Sequence, residues 1–156
     1  MSADLYLTSS EKYLSEIIDD ELPYGLIDKQ ITGIGATHLE MYSNRNSIIV
    51  VPARVLAKNK TSKDVKFLYV GTKDNGKVTS TNDIKDYLNN PQHQYKKLLV
   101  VADSLKRVID TIKANGEDVY RNYFLMVDEI DTLQSDNHFR PLYKQILMKK
   151  INYHIK

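Results

Sequence analysis

The sequence predicts an α/β fold, a three-layer α/β/α sandwich around a mainly parallel sheet, and three observations predict it. Largely apolar, β-branched or aromatic runs recur at 47–51, 65–70, 97–102 and 123–127, each ended by proline, glycine or an acid. These runs do not alternate strictly between polar and apolar residues, as befits strands covered on both faces. Segments with a 3.6-residue apolar period lie between several of them, and strands alternating with helices specify a layered sandwich.

Taken in order, Thr8-Ser9-Ser10-Glu11 fits a capping box, after which Tyr13, Leu14, Ile17 and Ile18 share one helical face until Pro23 stops the helix. Tyr24 to Lys29 reads as a first strand, weakened by Gly25 and Asp28. Gln30 to Thr37 is a glycine-bearing loop, and His38 to Tyr42 can form a short helix. Asn44-Arg45-Asn46 makes a turn into the strand Ser47–Val51, which Pro52 ends before a helix over Ala53–Lys58. Val65–Val70 is the next strand, and Asn75-Gly76 marks a hairpin or mobile loop behind it. Ser80 to Asp83 caps a helix running through Leu88 to the stop Asn89-Asn90-Pro91. Lys97–Ala102 is a buried strand, and Asp103-Ser104 caps a helix carrying Leu105, Val108, Ile109 and Ile112, with Asn115-Gly116 as its stop. Tyr123 to Val127 is a strand buried on both faces, followed after a polar loop by a helix over Phe139–Ile151. The expected organisation is one domain over 1–156: an N-terminal helix in 1–22, a core in 23–135, and a C-terminal helix and tail in 136–156.

Composition removes several function classes. The 156 residues include no cysteine, which excludes a disulfide framework and a thiolate metal site. His38, His93, His138 and His154 are never at ligand spacing, which argues against zinc. No apolar run is long enough to span a bilayer and the N-terminus has no signal-like core, so a soluble cytoplasmic protein without a membrane partner is expected. A net charge of +2 is too small to argue nucleic-acid binding by itself. Arg54, Lys58, Lys60, Lys63 and Lys66 form the most basic local cluster, which also reads as a solvated face.

Two stretches carry candidate chemistry. In Tyr123 to Asp131 an apolar run meets carboxylates spaced D-E-x-D, at the strand edge where open parallel sheets bind ligands. Asp128 would face a hydrated Mg²⁺ shared with phosphate oxygens, and Glu129 would orient or deprotonate an attacking water. The plain alternative is a buried strand entering an acidic turn. In Gln30 to Thr37, Gly33 and Gly35 allow backbone N–H groups to approach an anion, and a following helix would favour it. Against G-x-x-x-x-G-K-[ST], Gly35 and Thr37 match, while Gln30 replaces the first glycine and Ala36 the lysine. The plain alternative here is a glycine turn before a helix.

The order of segments resembles the first RecA-like domain of the superfamily-two, DEAD-like helicases, a P-loop ATPase fold. Thr32-Gly33-Ile34-Gly35-Ala36-Thr37 is similar to the family's T-G-x-G-K-T loop, and Ile49 to Leu56 is similar to V-x-P-T-R-x-L, whose Pro52 and Arg54 positions lie near the nucleic-acid backbone. Val101-Ala102-Asp103-Ser104-Leu105 stands where the family often has a strand running into T-x-x-S-L, and Val127 to Asp131 stands for the Walker B V-D-E-x-D. The resemblance covers about residues 20 to 135. It implies ATP and Mg²⁺ as cofactors, held by Gly33, Ile34, Gly35, Ala36 and Thr37, with Thr37 and Asp128 on the metal and Glu129 catalytic. It also implies DNA or RNA as partner, contacted by Pro52, Arg54 and Ser104.

The departures define what is expected of this chain. Ala36 lacks the cation that would reach the β- and γ-phosphates, a contact worth about 1.5–3 kcal/mol, or ~10- to 150-fold in affinity. Hydrolysis should lose more than binding, because the cation also offsets transition-state charge. Ala53 lacks the hydroxyl of the family's backbone-touching threonine. The sequence ends shortly after Asp131, so a second RecA-like domain or partner chain is expected to complete the cleft, and the chain reads as a fragment, a truncated product or one component of a split enzyme. The function expected is an ATP/Mg-binding domain of a helicase-like, nucleic-acid-dependent ATPase, impaired in turnover on its own. The alternative is a catalytically inactive P-loop-fold module that binds nucleic acid or a protein. A Mg²⁺-dependent phosphatase or nuclease built on Asp128, Glu129 and Asp131 would need a second acidic strand end, and none is visible.

Overall fold

The computed structural model describes residues 10–25, 27, 33–51, 67–73 and 75–128. The chain forms two compact units, Met1–Asn44 and Arg45–Lys156. The expected helix over Ala53–Lys58, the C-terminal helix and part of the expected first strand lie outside the described residues.

In the C-terminal unit four strands, β1 (Ser47–Val51), β2 (Phe67–Val70), β3 (Lys97–Val101) and β4 (Phe124–Val127), form one sheet in the order β2-β3-β1-β4. Every pairing is parallel, so the described sheet is entirely parallel, within an α/β fold. Ser47 is level with both Lys97 and Phe124, and Phe67 is level with Lys97, so the strands start together and their carboxyl ends share one edge. Asn46 sets this alignment: its Oδ1 accepts from Lys96 N at 2.8 Å and its carbonyl accepts from Phe124 N at 2.8 Å.

Two helices return the chain between strands, α2 (Thr81–Asn89) from β2 to β3 and α3 (Leu105–Ala114) from β3 towards β4. Their apolar faces explain where they sit. Ile84, Tyr87 and Leu88 of α2 and Leu105, Val108, Ile109 and Ile112 of α3 form one buried cluster with Ile48, Val50, Val70, Leu98 and Val100 of the sheet. Side chains alternate along a strand, so Ile49 and Leu99 belong to the opposite face, and they too are fully buried. That double burial is the reason β1 and β3 read as unbroken apolar runs. Ser80 caps α2 as expected, accepting from Asp83 N while the Asp83 carboxylate accepts from Ser80 N at 2.8 Å. These bonds to Ser80 hold the Asp83 carboxyl below the usual range.

The turn expected at Asn75-Gly76 is present: Thr72 and Val78 form an antiparallel bridge across it, and the buried Thr79 hydroxyl donates to Tyr69 O at 2.9 Å. A four-residue helix, α4 (Val119–Asn122), precedes β4 and was not expected; Asp118 caps it through Tyr120 N and Arg121 N. Its brevity leaves no apolar period to read.

Three expectations are corrected. The amphipathic helix expected from Tyr13 is only a 3-10 turn, Leu14–Glu16, with Ile17 exposed. Asp20 adopts φ 57, which no helix continues through, so the apolar spacing has no second turn to act on. Tyr24 and Gly25 are bends rather than strand, since Gly25 at φ 137 leaves the extended region, and Ile27 is unpaired and exposed. Finally, β4 is not buried on both faces: Leu125, Met126 and Val127 are only partly covered, while β1 fills the fully buried position in the sheet.

Tyr87 ties α2 to the sheet, its hydroxyl donating to Lys97 O at 3.0 Å and accepting from Lys97 N at 2.9 Å. Burial pushes its pKa up to about 12, the bond from Lys97 N opposing that rise. Burial also raises Tyr123, and the Glu117 carboxylate accepting its hydroxyl at 3.0 Å raises it further. A phenol whose folded pKa lies above its unfolded value near ~10 contributes stability that is complete below that value and is lost as pH climbs through the folded pKa. Tyr87→Phe should therefore cost about 1–3 kcal/mol at neutral pH, because the hydroxyl's two buried bonds with the Lys97 main chain are lost. It should also flatten the loss of stability above pH ~10, which denaturant titrations across the alkaline range would read.

Candidate functional site

The site residues expected from sequence fall in both units. In the N-terminal unit, Gly33 and Gly35 take φ 78 and φ 82, the left-handed conformation that glycine adopts without strain. Gly35 is the N-cap of α1 (Ala36–Tyr42), which starts two residues earlier than expected, and Leu39 N closes its first turn on Gly35 O at 2.8 Å. The loop is held from behind, where Leu14 N donates to Ile34 O at 2.9 Å. Ala36, in the lysine position, is 5 % exposed, so its methyl is packed away from water. Thr37 is half-buried in the first turn of α1.

Tyr13, one of the tyrosines the sequence offers for base stacking but favours as core packing, was not expected beside this loop. Its ring carbon Cδ1 lies 3.7 Å from where a Cβ on Gly35 would stand, and the ring remains 42 % exposed with the Lys12 ammonium 5.2 Å from its centroid. No motif carried that signal. The contact arises because the 3-10 turn at Leu14–Glu16 hydrogen-bonds to the loop. Glu40 was missed as well: it is fully buried in α1, with Oε1 accepting from the Ser43 hydroxyl at 3.0 Å.

In the C-terminal unit, the shared register gathers the strand ends. Asp128 N extends the ladder to Val50 O at 2.9 Å, which sets Asp128 level with Val51, and its residue exposure is 9 %. Leu125 and Val127 pack on the helix-facing core, so alternation assigns Asp128 to the face shared with Ile49 and Leu99. Ser104 lies past β3 on the same edge, and the strand between them is β1. Glu129, Pro52 and Arg54 lie outside the described residues.

Ser104 does not cap α3 as expected. A 3-10 turn, Ala102–Ser104, leads into the helix, and the buried Ser104 hydroxyl accepts from Arg107 Nη2 at 3.0 Å. Arg107 thereby stands at the sheet's carboxyl edge. Its buried Nε has no hydrogen-bond partner among the described residues. The chain leaves β1 towards β2 and leaves β3 towards β4, opposite directions across the sheet from neighbouring strands. Ligands of open parallel sheets bind at such a reversal.

The residues present can be tested against a magnesium nucleotide. Mg²⁺ in phosphate sites takes one or two protein oxygens and fills its remaining positions with phosphate and water. Asp128 and Thr37 supply a carboxylate and a hydroxyl of the required kinds. Among the described residues no group of three His, Cys, Asp or Glu could hold a metal as an all-protein cage. No helix among the described residues is long and apolar enough to cross a membrane. Models of known families, curated proteins and solved structures contain no match to this chain.

The loop conformation can be checked directly. Gly35→Ala puts an L-residue at φ 82, where it should cost about 1–2 kcal/mol. Because Leu39 N is bonded to Gly35 O, hydrogen exchange at Leu39 should accelerate while amides in β1 and β3 keep their protection.

Proposed function

We propose that this chain is an ATP/Mg-binding domain of the helicase-like P-loop kind, impaired in turnover on its own. The observation that carries the reading is Asp128, a nearly buried carboxylate at the carboxyl end of a strand in an all-parallel sheet. In this reading the backbone of Gly33 to Thr37 receives the phosphates, Thr37 and Asp128 ligate Mg²⁺, and Glu129 positions water. The exposed face of Tyr13 beside Gly35 offers a surface on which a base can stack. Bound Mg²⁺ would screen phosphate charge and hold the phosphates in place. Nucleic acid, DNA or RNA, would run along the strand ends near Ser104 and Arg107, with Pro52 and Arg54 contributing. A second RecA-like domain or partner chain would complete the cleft.

A second reading, a non-catalytic module holding nucleic acid or a protein, is favoured by Ala36. The lysine position carries a packed methyl, so the cation that hydrolysis uses is missing.

Titration of the full chain with a fluorescent ATP analogue, with and without Mg²⁺, separates the two. Under the first reading binding requires Mg²⁺, and Asp128→Ala and Thr37→Ala each weaken it at least about tenfold, ~1.4 kcal/mol, with folding verified by circular dichroism. Absence of binding up to millimolar nucleotide would overturn it and leave the second.

A further inference from the structure

The chain contains two Asn-Gly pairs, Asn75-Gly76 and Asn115-Gly116, which the sequence presents as equivalent. Asn-Gly is the dipeptide in which the side-chain carboxamide is most open to attack by the following main-chain nitrogen, because glycine has no Cβ to obstruct it. A Cβ built at either glycine meets nothing within 4 Å, so local crowding does not separate the two. Their carboxamides do.

Asn115 is the C-cap of α3, and its carboxamide is held at both ends. Oδ1 accepts from Asn89 Nδ2 at 3.2 Å, and Nδ2 donates to Asn89 Oδ1 at 3.3 Å and to Glu117 Oε1 at 3.4 Å. Its own N–H donates back into α3, to Thr111 O at 3.0 Å and Ile112 O at 3.1 Å. Turning this carboxamide towards Gly116 N means breaking a reciprocal amide pair between two helices and unwinding a helix end. Asn75 sits exposed in the turn, within the bridge of Thr72 and Val78. Its Oδ1 accepts from Lys77 N at 3.0 Å, and among the described residues no hydrogen bond holds its Nδ2, the group that must leave. The bond to Oδ1 also polarises the carbonyl that is attacked. Gly76 N donates to Lys73 O at 2.8 Å, so the one main-chain bond to release lies inside the turn itself.

We infer that Asn75 is a built-in deamidation site and that the Asn89–Asn115 pair protects its sequence twin. The Gly76 nitrogen, deprotonated by hydroxide, forms a bond to Asn75 Cγ while the Cγ–Nδ2 bond breaks and ammonia leaves with the proton. The resulting succinimide is opened by water, giving aspartate when the new bond to Gly76 N breaks and isoaspartate when the original peptide bond breaks. No oxidant or reductant takes part. Either product places a carboxylate in the turn that carries Lys73 and Lys77, and isoaspartate also lengthens the main chain inside the bridge.

The full chain is incubated at mildly alkaline pH, and peptide mass mapping with isoaspartyl methyltransferase labelling follows both sites. Asn75 should convert at least about tenfold faster than Asn115. Asn89→Ala, with folding checked by circular dichroism, should narrow that ratio by speeding Asn115 alone. Conversion at Asn115 as fast as at Asn75 in the native chain, or an unchanged ratio in a folded Asn89→Ala variant, would overturn the inference. Asn75→Gln, whose cyclisation needs the slower six-membered ring, should remove most conversion at 75; deamidation there, read as the gain of about 1 Da, at the native rate would overturn it equally.

Discussion

Asn46 occupies the position on which the sheet depends. One residue ahead of β1, it receives Lys96 N on its side chain and Phe124 N on its carbonyl, while Ser47 N donates to Lys96 O at 2.8 Å. Three strands far apart in sequence are thus aligned at their starts by one asparagine and its neighbour. The side-chain period along a strand is two, so a one-residue slip would turn Ile48, Val50, Leu98 and Val100 away from α2 and α3. The Arg45 guanidinium, 3.4 Å above the Phe124 ring, secures the same corner, and Lys97 donates to the Ser47 hydroxyl at 3.0 Å across the register. Parallel strands depend on such anchors because no tight hairpin fixes their pairing.

What could be read in the sequence is what depends on short-range chemistry. The unbroken run Ser47-Ile48-Ile49-Val50-Val51, the Ser80 capping box and the Asn115-Gly116 stop each carry their explanation within a few residues, and each appears where expected. What could not be read depends on tertiary partners. Tyr13, Leu14, Ile17 and Ile18 have a helix's spacing, but a helix that short needs a surface to pack on before its nucleation cost is met. Asn44-Arg45-Asn46 looked like any polar turn, and nothing local marks Asn46 as a register device. The partial exposure of β4 was hidden for a related reason: Phe-Leu-Met-Val is as apolar as a central strand, and burial is decided by neighbours rather than composition.

The candidate site divides along the same line. Acid after an apolar run is legible, and Asp128 lies at the strand end as the pattern required. The role of Ser104 was less legible, because a serine before a helix signals a cap, whereas here it holds a guanidinium. The preceding 3-10 turn places Ser104 in the helical rather than the extended region, at φ −92 and ψ −6, so its hydroxyl makes no cap bond and serves Arg107 instead. Arg107 is therefore a tethered cation at the carboxyl edge rather than a free surface charge.

Direction ties these observations together. In an antiparallel sheet the ends of β1, β3 and β4 would be spread over two edges; here Val51, Val101 and Asp128 share one. That grouping is geometric and would hold for any sequence able to form these strands. The side chains at the edge are what the geometry does not explain. The main-chain N–H of Asp128 completes the ladder to Val50, a task open to any residue except proline. Its carboxylate gives up most of its hydration there, which costs free energy unless other groups satisfy it. Asp128 is therefore nearly buried at that edge, on the face turned away from α2 and α3, and what its carboxylate meets there is set by tertiary neighbours rather than by the strand pattern that made it legible.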